Sequence, residues 1–305
     1  MLFQANRHAN KSANNWRLFF QALTLSTFAA LFSTNALSQE IKLVSAGAGV
    51  TELVLALDAA DELVAVDSTS YLPKHLATIA KLGYHRMLSA EGIMALSPTL
   101  VVGSEVMGPE TTLNVLKQAK IEVVKLPSSA DEKQLMTNID TLAQLLKRTD
   151  QATQLKQDLH RRLEGLNKQQ LSQQQAQPKI LFMLLQEGRG ARVGGKGTAA
   201  DTIIALSGAK NIADFEGYKS LSQEGILSLQ PDVILLSKRS EQSDAQTDEQ
   251  TAQALLKEMP LLAHTPAGKN GHIQTLAPQA LLGGLGISAI GAAETLAATL
   301  LKQDQ

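Results

Sequence analysis

Two glutamates, Glu91 and Glu224, hold the same place in two copies of one segment. "LSAEGIMALSPTLVVGS" at 88–104 returns as "LSQEGILSLQPDVILLS" at 221–237, with eight of seventeen positions identical and most others apolar exchanges. Gly-Tyr precedes each copy, as Gly83-Tyr84 and Gly217-Tyr218. Ser89 and Ser222 stand where an N-cap would, so each acid falls in a first helical turn. That position is favourable to the helix dipole by ~0.3–1 kcal/mol, a local benefit that does not require two copies. In a two-lobed protein with internal pseudo-symmetry, the acids would project from one face, one per lobe. Such a pair suits docking on a symmetric partner with two basic pockets. A single repeat is too little for a solenoid, which stacks several units.

Other chemistry is sparse. "GAGVTE" at 47–52 lacks the third glycine of a dinucleotide fingerprint and reads as a glycine turn allowing close strand–helix packing. "VGGKGT" at 193–198 breaks the Gly-Lys-Ser/Thr order of a phosphate loop at Gly197. There is no GxSxG or HExxH, and the histidines at 75, 85, 160, 264 and 272 form no i, i+4 pair. Without a nucleophile–base pair, the expectation is a binding protein and not an enzyme. The absence of cysteine excludes disulfides, thiolate metal sites, iron–sulfur clusters and a Cys-linked lipid anchor.

The elements that must position these residues alternate along the chain. Strand patterns "IKLVSA", "LVAVD", "TLVVGS" and "EVVKL" are spaced by helical patterns "TELVLALDA", "SAEGIMAL" and "PETTLNVLKQA". The scheme repeats from "KILFMLL" through "TAADTIIALS", "QEGILSL", "DVILLS" and "HIQTL", closing with a helix from about Leu282 to Leu301. Strands separated by helices predict α/β lobes with parallel sheets. Between them, leucines at helical spacing from Leu135 to Leu163 predict one long connector helix with a break near Arg148-Thr149-Asp150. A rigid connector would limit the lobes to a small rocking motion. The expected boundaries are an N-terminal lobe at 39–130, the connector at 131–175 and a C-terminal lobe at 176–305.

The first 38 residues read differently. Arg7, Lys11 and Arg17 precede or open an apolar run, Leu18 to Phe32, and "ALSQE" supplies small residues for cleavage. This predicts a secretory signal peptide at 1–38, cut after Ser38; the run is short for a bilayer, which takes ~20 apolar residues. These residues hold three of the 28 Lys and Arg and none of the 29 acids, so the chain after Ser38 is mildly acidic. Net charge therefore draws it to neither nucleic acid nor anionic lipid. Trp16 and five of the seven Phe also lie in the leader, leaving Tyr71, Tyr84, Phe182, Phe215 and Tyr218 as aromatics in an otherwise aliphatic chain.

"SAGAGVTELVLALDAADELVAVDSTS", "LGYHRMLSAEGIMALSPTLVVGSEVMGPETTL", "GKGTAADTIIALSGAKNI" and "GYKSLSQEGILSLQPDVILLS" resemble the cluster A periplasmic binding proteins of ABC importers, within them the haemin-binding members. With the connector, the similarity covers nearly all of the chain after the leader. "GYHRMLSAEG" is its most specific stretch; the SAE/SQE pattern belongs to the wider vitamin B12, siderophore and haem group. The resemblance implies two Rossmann-like lobes, a periplasmic location, a protein monomeric when free, and haem as transported ligand. It also implies an inner-membrane ABC permease dimer whose arginines meet Glu91 and Glu224.

The ligand cleft is then expected between the lobes, where loops leave the carboxyl ends of the strands. Tyr71, in "STSYLPKH" at 68–75, is the expected iron ligand, since phenolate is a hard anionic oxygen donor to ferric haem. Haem-binding relatives usually place this tyrosine directly before proline, whereas here Leu72 separates Tyr71 from Pro73. Some carry a histidine after the strand matching "LFMLL", where this chain has Gln186. His75, His85 and Tyr84 therefore stand as alternative ligands. Arg86 and Lys74 are candidates to partner the phenolate or a haem propionate. Met87, Met107, Gln186, Tyr218 and Lys219 are further pocket candidates. Cobalamin or an iron–siderophore would keep the same fold, as would a periplasmic enzyme; cobalamin sites tend to be lined by aromatics.

Overall fold

The computed structural model describes residues 40–172, 177–186, 190–238 and 247–303, so the leader expected at 1–38 lies outside the described residues. Strand β1 (Leu43–Ala46) is buried at every position, which suits a parallel sheet covered on both faces. It lies at the centre of five strands with β2 (Leu63–Val66), β3 (Ala80–Lys81), β4 (Leu100–Ser104) and β5 (Glu122–Leu126). The order is β3-β2-β1-β4-β5 and every pairing is parallel. The connecting helices are α1 (Ala48–Ala56), α2 (Ala90–Met94) and α3 (Glu110–Gln118). Period-two alternation divides the sheet's side chains: Val44, Ala46 and Val101 pack with Leu113 and Leu116 of α3. Leu43, Leu100 and Val102 point into the other core.

The expected long connector helix is present, preceded by a shorter helix. Helix α4 (Glu132–Leu146) ends at Lys147, which takes the left-handed conformation at φ 55°, and α5 (Thr149–Ser172) begins two residues later. The break falls close to the predicted point, but the chain reverses there. His160 Nδ1 lies 2.7 Å from Glu132 Oε1, and Lys156 pairs with Asp140, so α4 and α5 run antiparallel. Helix α5 leads from the first half toward the second, and its 24 residues span about 36 Å at 1.5 Å per residue.

The second sheet comprises β6 (Lys179–Gln186), β7 (Gly190–Gly194), β8 (Lys210–Asn211), β9 (Tyr218–Lys219), β10 (Val233–Lys238) and β11 (Ile273–Thr275). Its helices are α6 (Ala199–Leu206), α7 (Gln223–Leu229), α8 (Asp248–Glu258), α9 (Pro266–Asn270) and α10 (Ile287–Gln303). In the order β11-β10-β6-β7-β9, β10 pairs parallel with both β11 and β6, whereas β7 pairs antiparallel with both β6 and β9; β8 lies off this path and pairs parallel with β6. The sheet is thus parallel at its centre and antiparallel toward the β9 edge. The duplicated segments occupy matching places: α2 leads to β4 beside β1, and α7 leads to β10 beside β6.

A glycine seam joins the halves. Ser129 bridges to Gly284, and Leu285 N donates to Ser129 O at 2.8 Å. Gly283 sits at φ 95°, and a Cβ there would meet Gly49 Cα at 2.8 Å. These positive-φ glycines, Gly283 and Gly284, explain why the last helix starts at Ile287, after the expected Leu282. One core cluster runs through both sheets, taking Leu43 and Val102 from the first, Ile180 and Phe182 from the second, and Leu159 and Leu163 from α5.

Candidate functional site

Asp67 follows β2 at the carboxyl edge of the first sheet and is fully buried. Its Oδ1 accepts from Gly47 N at 2.9 Å and Ser70 Oγ at 2.5 Å. Its Oδ2 accepts from Thr69 N at 3.1 Å, Thr69 Oγ1 at 2.6 Å and His85 Nδ1 at 3.0 Å. Burial opposes the charge, but hydrogen bonds from His85, Ser70, Thr69 and Gly47 outweigh it and hold the carboxyl far below the usual range. Gly47 donates from φ 120°, a backbone shape that favours glycine. The "GAGVTE" glycine therefore has a second use besides close packing.

The loop after Asp67 carries Tyr71, which is 67% exposed. Pro73 precedes a 3₁₀ turn, Lys74–Leu76, with Lys74 and His75 both exposed. A second loop lies alongside, since Ser68 N donates to Gly83 O at 3.2 Å. This loop carries Tyr84, His85, Arg86 and Met87. It is tied in turn to the β4–α3 loop, because Gly108 N donates to His85 O at 2.9 Å and Leu88 N to Gly108 O at 2.8 Å. Arg86 is exposed and Met87 is 77% exposed, a large apolar side chain facing solvent beside an exposed phenol-bearing loop.

Three of the expected residues sit differently. His85 is buried, with Nδ1 committed to Asp67 and its ring 4.4 Å from that of Tyr84, so only Nε2 is left to act as a ligand. Met107 is 2% exposed; its sulfur fills the space over Gly103, where a Cβ would collide with it. It packs the core and does not line a pocket. Tyr218 is half-buried, edge-on to Phe182 at 6.4 Å, with Arg192 5.5 Å above its ring. Burial pushes its phenol upward in pKa, against a smaller opposing effect of Arg192, which disfavours a phenolate ligand there. Lys219 is exposed, its ammonium 5.0 Å over the Phe215 ring. Gln186 ends β6, and its side chain lies outside the described residues.

Glu91 and Glu224 are both exposed in the first turns of α2 and α7. The caps are equivalent: Ser89 Oγ accepts from Gly92 N at 3.3 Å and Ser222 Oγ from Gly225 N at 3.2 Å. The carboxyl of Glu224 is held below the usual range by its own backbone N–H and by Ser222. Among the described residues, no three His, Asp or Glu side chains converge to hold a bare metal ion. Asp67 is the residue that sequence reasoning missed. "DSTS" after a strand is a signal for an acid capping its own loop, but the donors at Gly47 and His85 are distant in sequence.

Two α/β lobes on a shared core, with an exposed loop cluster at the carboxyl ends of the strands, define a two-lobed ligand receptor. Residues 43–280 match the periplasmic binding protein family, and the chain belongs to it. The crystal structure of the periplasmic haem-binding protein HutB of Vibrio cholerae has a TM-score of 0.77 at 40% identity, covering 86% of this chain and 99% of that one. A periplasmic haem-binding protein from Pseudomonas aeruginosa gives 0.76 at 33% identity, covering 85% and 91%. The vitamin B12-binding protein of Yersinia pestis (strain Pestoides F) is 27% identical over 207 residues, 67% of this chain and 71% of its own.

Proposed function

We propose that this protein binds haem in the periplasm and delivers it to an inner-membrane ABC permease. The observation that carries the reading is Tyr71, a residue 67% exposed on a loop anchored by a buried carboxylate. The similarity at 40% identity to a haem-binding protein supports the same ligand. Ferric haem takes the phenolate as an axial ligand, and the iron's own charge favours loss of the phenol proton on coordination. Arg86 and Lys74, exposed on the two loops, supply positive charge for the phenolate or a propionate. Met87 supplies polarizable apolar contact to the porphyrin. Glu91 and Glu224 dock the receptor, as a monomer, on the two halves of the permease dimer.

The test is an absorption spectrum of the purified protein after haemin is added, with Tyr71→Phe in parallel. The native protein should show a Soret shift and tyrosinate-to-iron bands, and the variant should lose the bands and most of its affinity. An unchanged variant spectrum would place the ligand at His75, His85 or Tyr84. A second reading, cobalamin, is favoured by the vitamin B12-binding relatives. Weighing against it, the chain after residue 38 has no tryptophan and only five other aromatics. A spectrum unmoved by haemin but shifted by added cobalamin would select this reading. Cleavage after Ser38 would release the exported protein, and N-terminal sequencing of the periplasmic protein should begin at Gln39.

A further inference from the structure

We propose that Asp67 and His85 are a positioning pair that sets the orientation of the iron-ligating loop and of the cation-bearing loop beside it. The proposal rests on the assignment of Tyr71 as ligand. An ionised carboxylate can only accept, so all five of its partners donate, and this fixes proton positions. Ser70 Oγ donates to Asp67 and must therefore accept from Thr51 Oγ1 at 2.7 Å, which in turn accepts from Ser45 Oγ at 2.7 Å. The result is a directional chain from β1, through α1, to the residue just before Tyr71. Ser45, Thr51, Asp67 and Ser70 are all buried, so the exposed phenol stands one residue beyond a pinned backbone.

The same logic places a proton on His85 Nδ1. Through that bond one carboxylate holds two loops, one bearing Tyr71 and the other Arg86 and Met87. Thr69 Oγ1 also lies 3.4 Å from His85 Nδ1, so the loops meet again at that point. A buried polar network of this kind is not required for stability, since apolar packing of equal volume often serves as well. What it provides is a single geometry, and iron ligation and charge pairing depend on geometry. The Ser68–Gly83 backbone bond sets the two loops side by side, and the Asp67–His85 bond fixes the register of Tyr71 and Arg86 beyond it.

The experiment compares His85→Ala, His85→Asn and Tyr71→Phe as haemin-loaded proteins. Asparagine can set its amide N–H where Nδ1–H stood, while lacking anything at Nε2. The readouts are the tyrosinate charge-transfer band, the iron–oxygen stretch by resonance Raman, and haem loss to excess apomyoglobin. His85→Ala should shift band and stretch and speed haem loss at least about tenfold, the lower end of what a hydrogen bond to a charged group is worth. His85→Asn should restore most of all three. If His85→Ala lowers only thermal stability and leaves spectrum and loss rate native, the pair is merely structural and the proposal fails. If His85→Asn matches His85→Ala, Nε2 is the active atom, and positioning is again refuted. If Tyr71→Phe keeps the band, the ligand assignment itself fails, whatever the histidine variants do. Should His85→Ala not fold, Thr69→Val removes one donor to Asp67 at the same junction and must then shift the band.

Discussion

Asp67→Asn should separate the anchored loop from the rest of the fold, and the structure allows its size to be worked out. Asparagine keeps the shape, but its Nδ2 would face donors on one side. The hydroxyls of Thr69 and Ser70 can rotate away, whereas the backbone N–H groups of Gly47 and Thr69 cannot. One of them is left without an acceptor. Removing one partner from a buried, charge-assisted network costs about 3–5 kcal/mol, and the mobile hydroxyls favour the lower figure. The pH dependence supplies a second signature. Because the folded carboxyl lies below the 3.8 of an ordinary aspartate, the unfolded chain binds the proton first as pH falls. The stability from Asp67 is therefore complete above that value and is lost at about 1.4 kcal/mol per pH unit below it. Urea unfolding of the apo-protein from about pH 7 down to about pH 2.5 tests both. The gap between wild type and Asp67→Asn should be widest near neutrality and close progressively below 3.8. Parallel stability curves across that range would refute the idea that the network holds an ionised Asp67.

The two methionines should respond in opposite ways. Met107→Ala should destabilise the apo-protein by about 2–5 kcal/mol in urea titrations, since Met107 is buried over Gly103, and leave bound haem's spectrum intact. Met87→Ala should leave stability within about 0.5 kcal/mol and weaken haem binding in spectral titrations. Gly283→Ala strains a φ of 95° and drives a Cβ into Gly49 Cα, so a loss of at least about 1–3 kcal/mol is expected by thermal unfolding. Charge reversal at both Glu91 and Glu224 should abolish permease-dependent haem uptake in reconstituted vesicles, with the receptor's own haem affinity unchanged. A double variant that loses haem would move these acids into the cleft.

Much of this arrangement is legible in the sequence. The alternation of β-rich and helical runs, and the duplicated segment with its serine caps, rest on local patterns that the fold retains. Helix reversal at Lys147 is half legible: leucine spacing marks the helices, but a left-handed residue between them leaves no trace in periodicity. Strand β7 escapes sequence reading because "GARVGG" looks like loop; antiparallel pairing with β6 and β9 makes it a strand. Met107 and His85 show the harder limit. Each lies in a loop that looks like ligand-binding surface, and each is decided by a neighbour, Gly103 or Asp67, that sequence spacing does not link to it.

The core that runs unbroken from Leu43 through Leu159 to Phe182 governs how the molecule comes apart. Neither sheet owns its inner face: each is completed by the connector, and the glycine seam at Ser129 and Gly284 ties them again. A break at the chain's midpoint would leave both halves with a raw apolar wall, so neither should persist as a free fragment. Denaturant should then trace a single transition with coincident signals from both sheets. A ligand held on the first sheet's edge would raise the resistance of the second by the same amount, and core positions of both sheets would open to protease together.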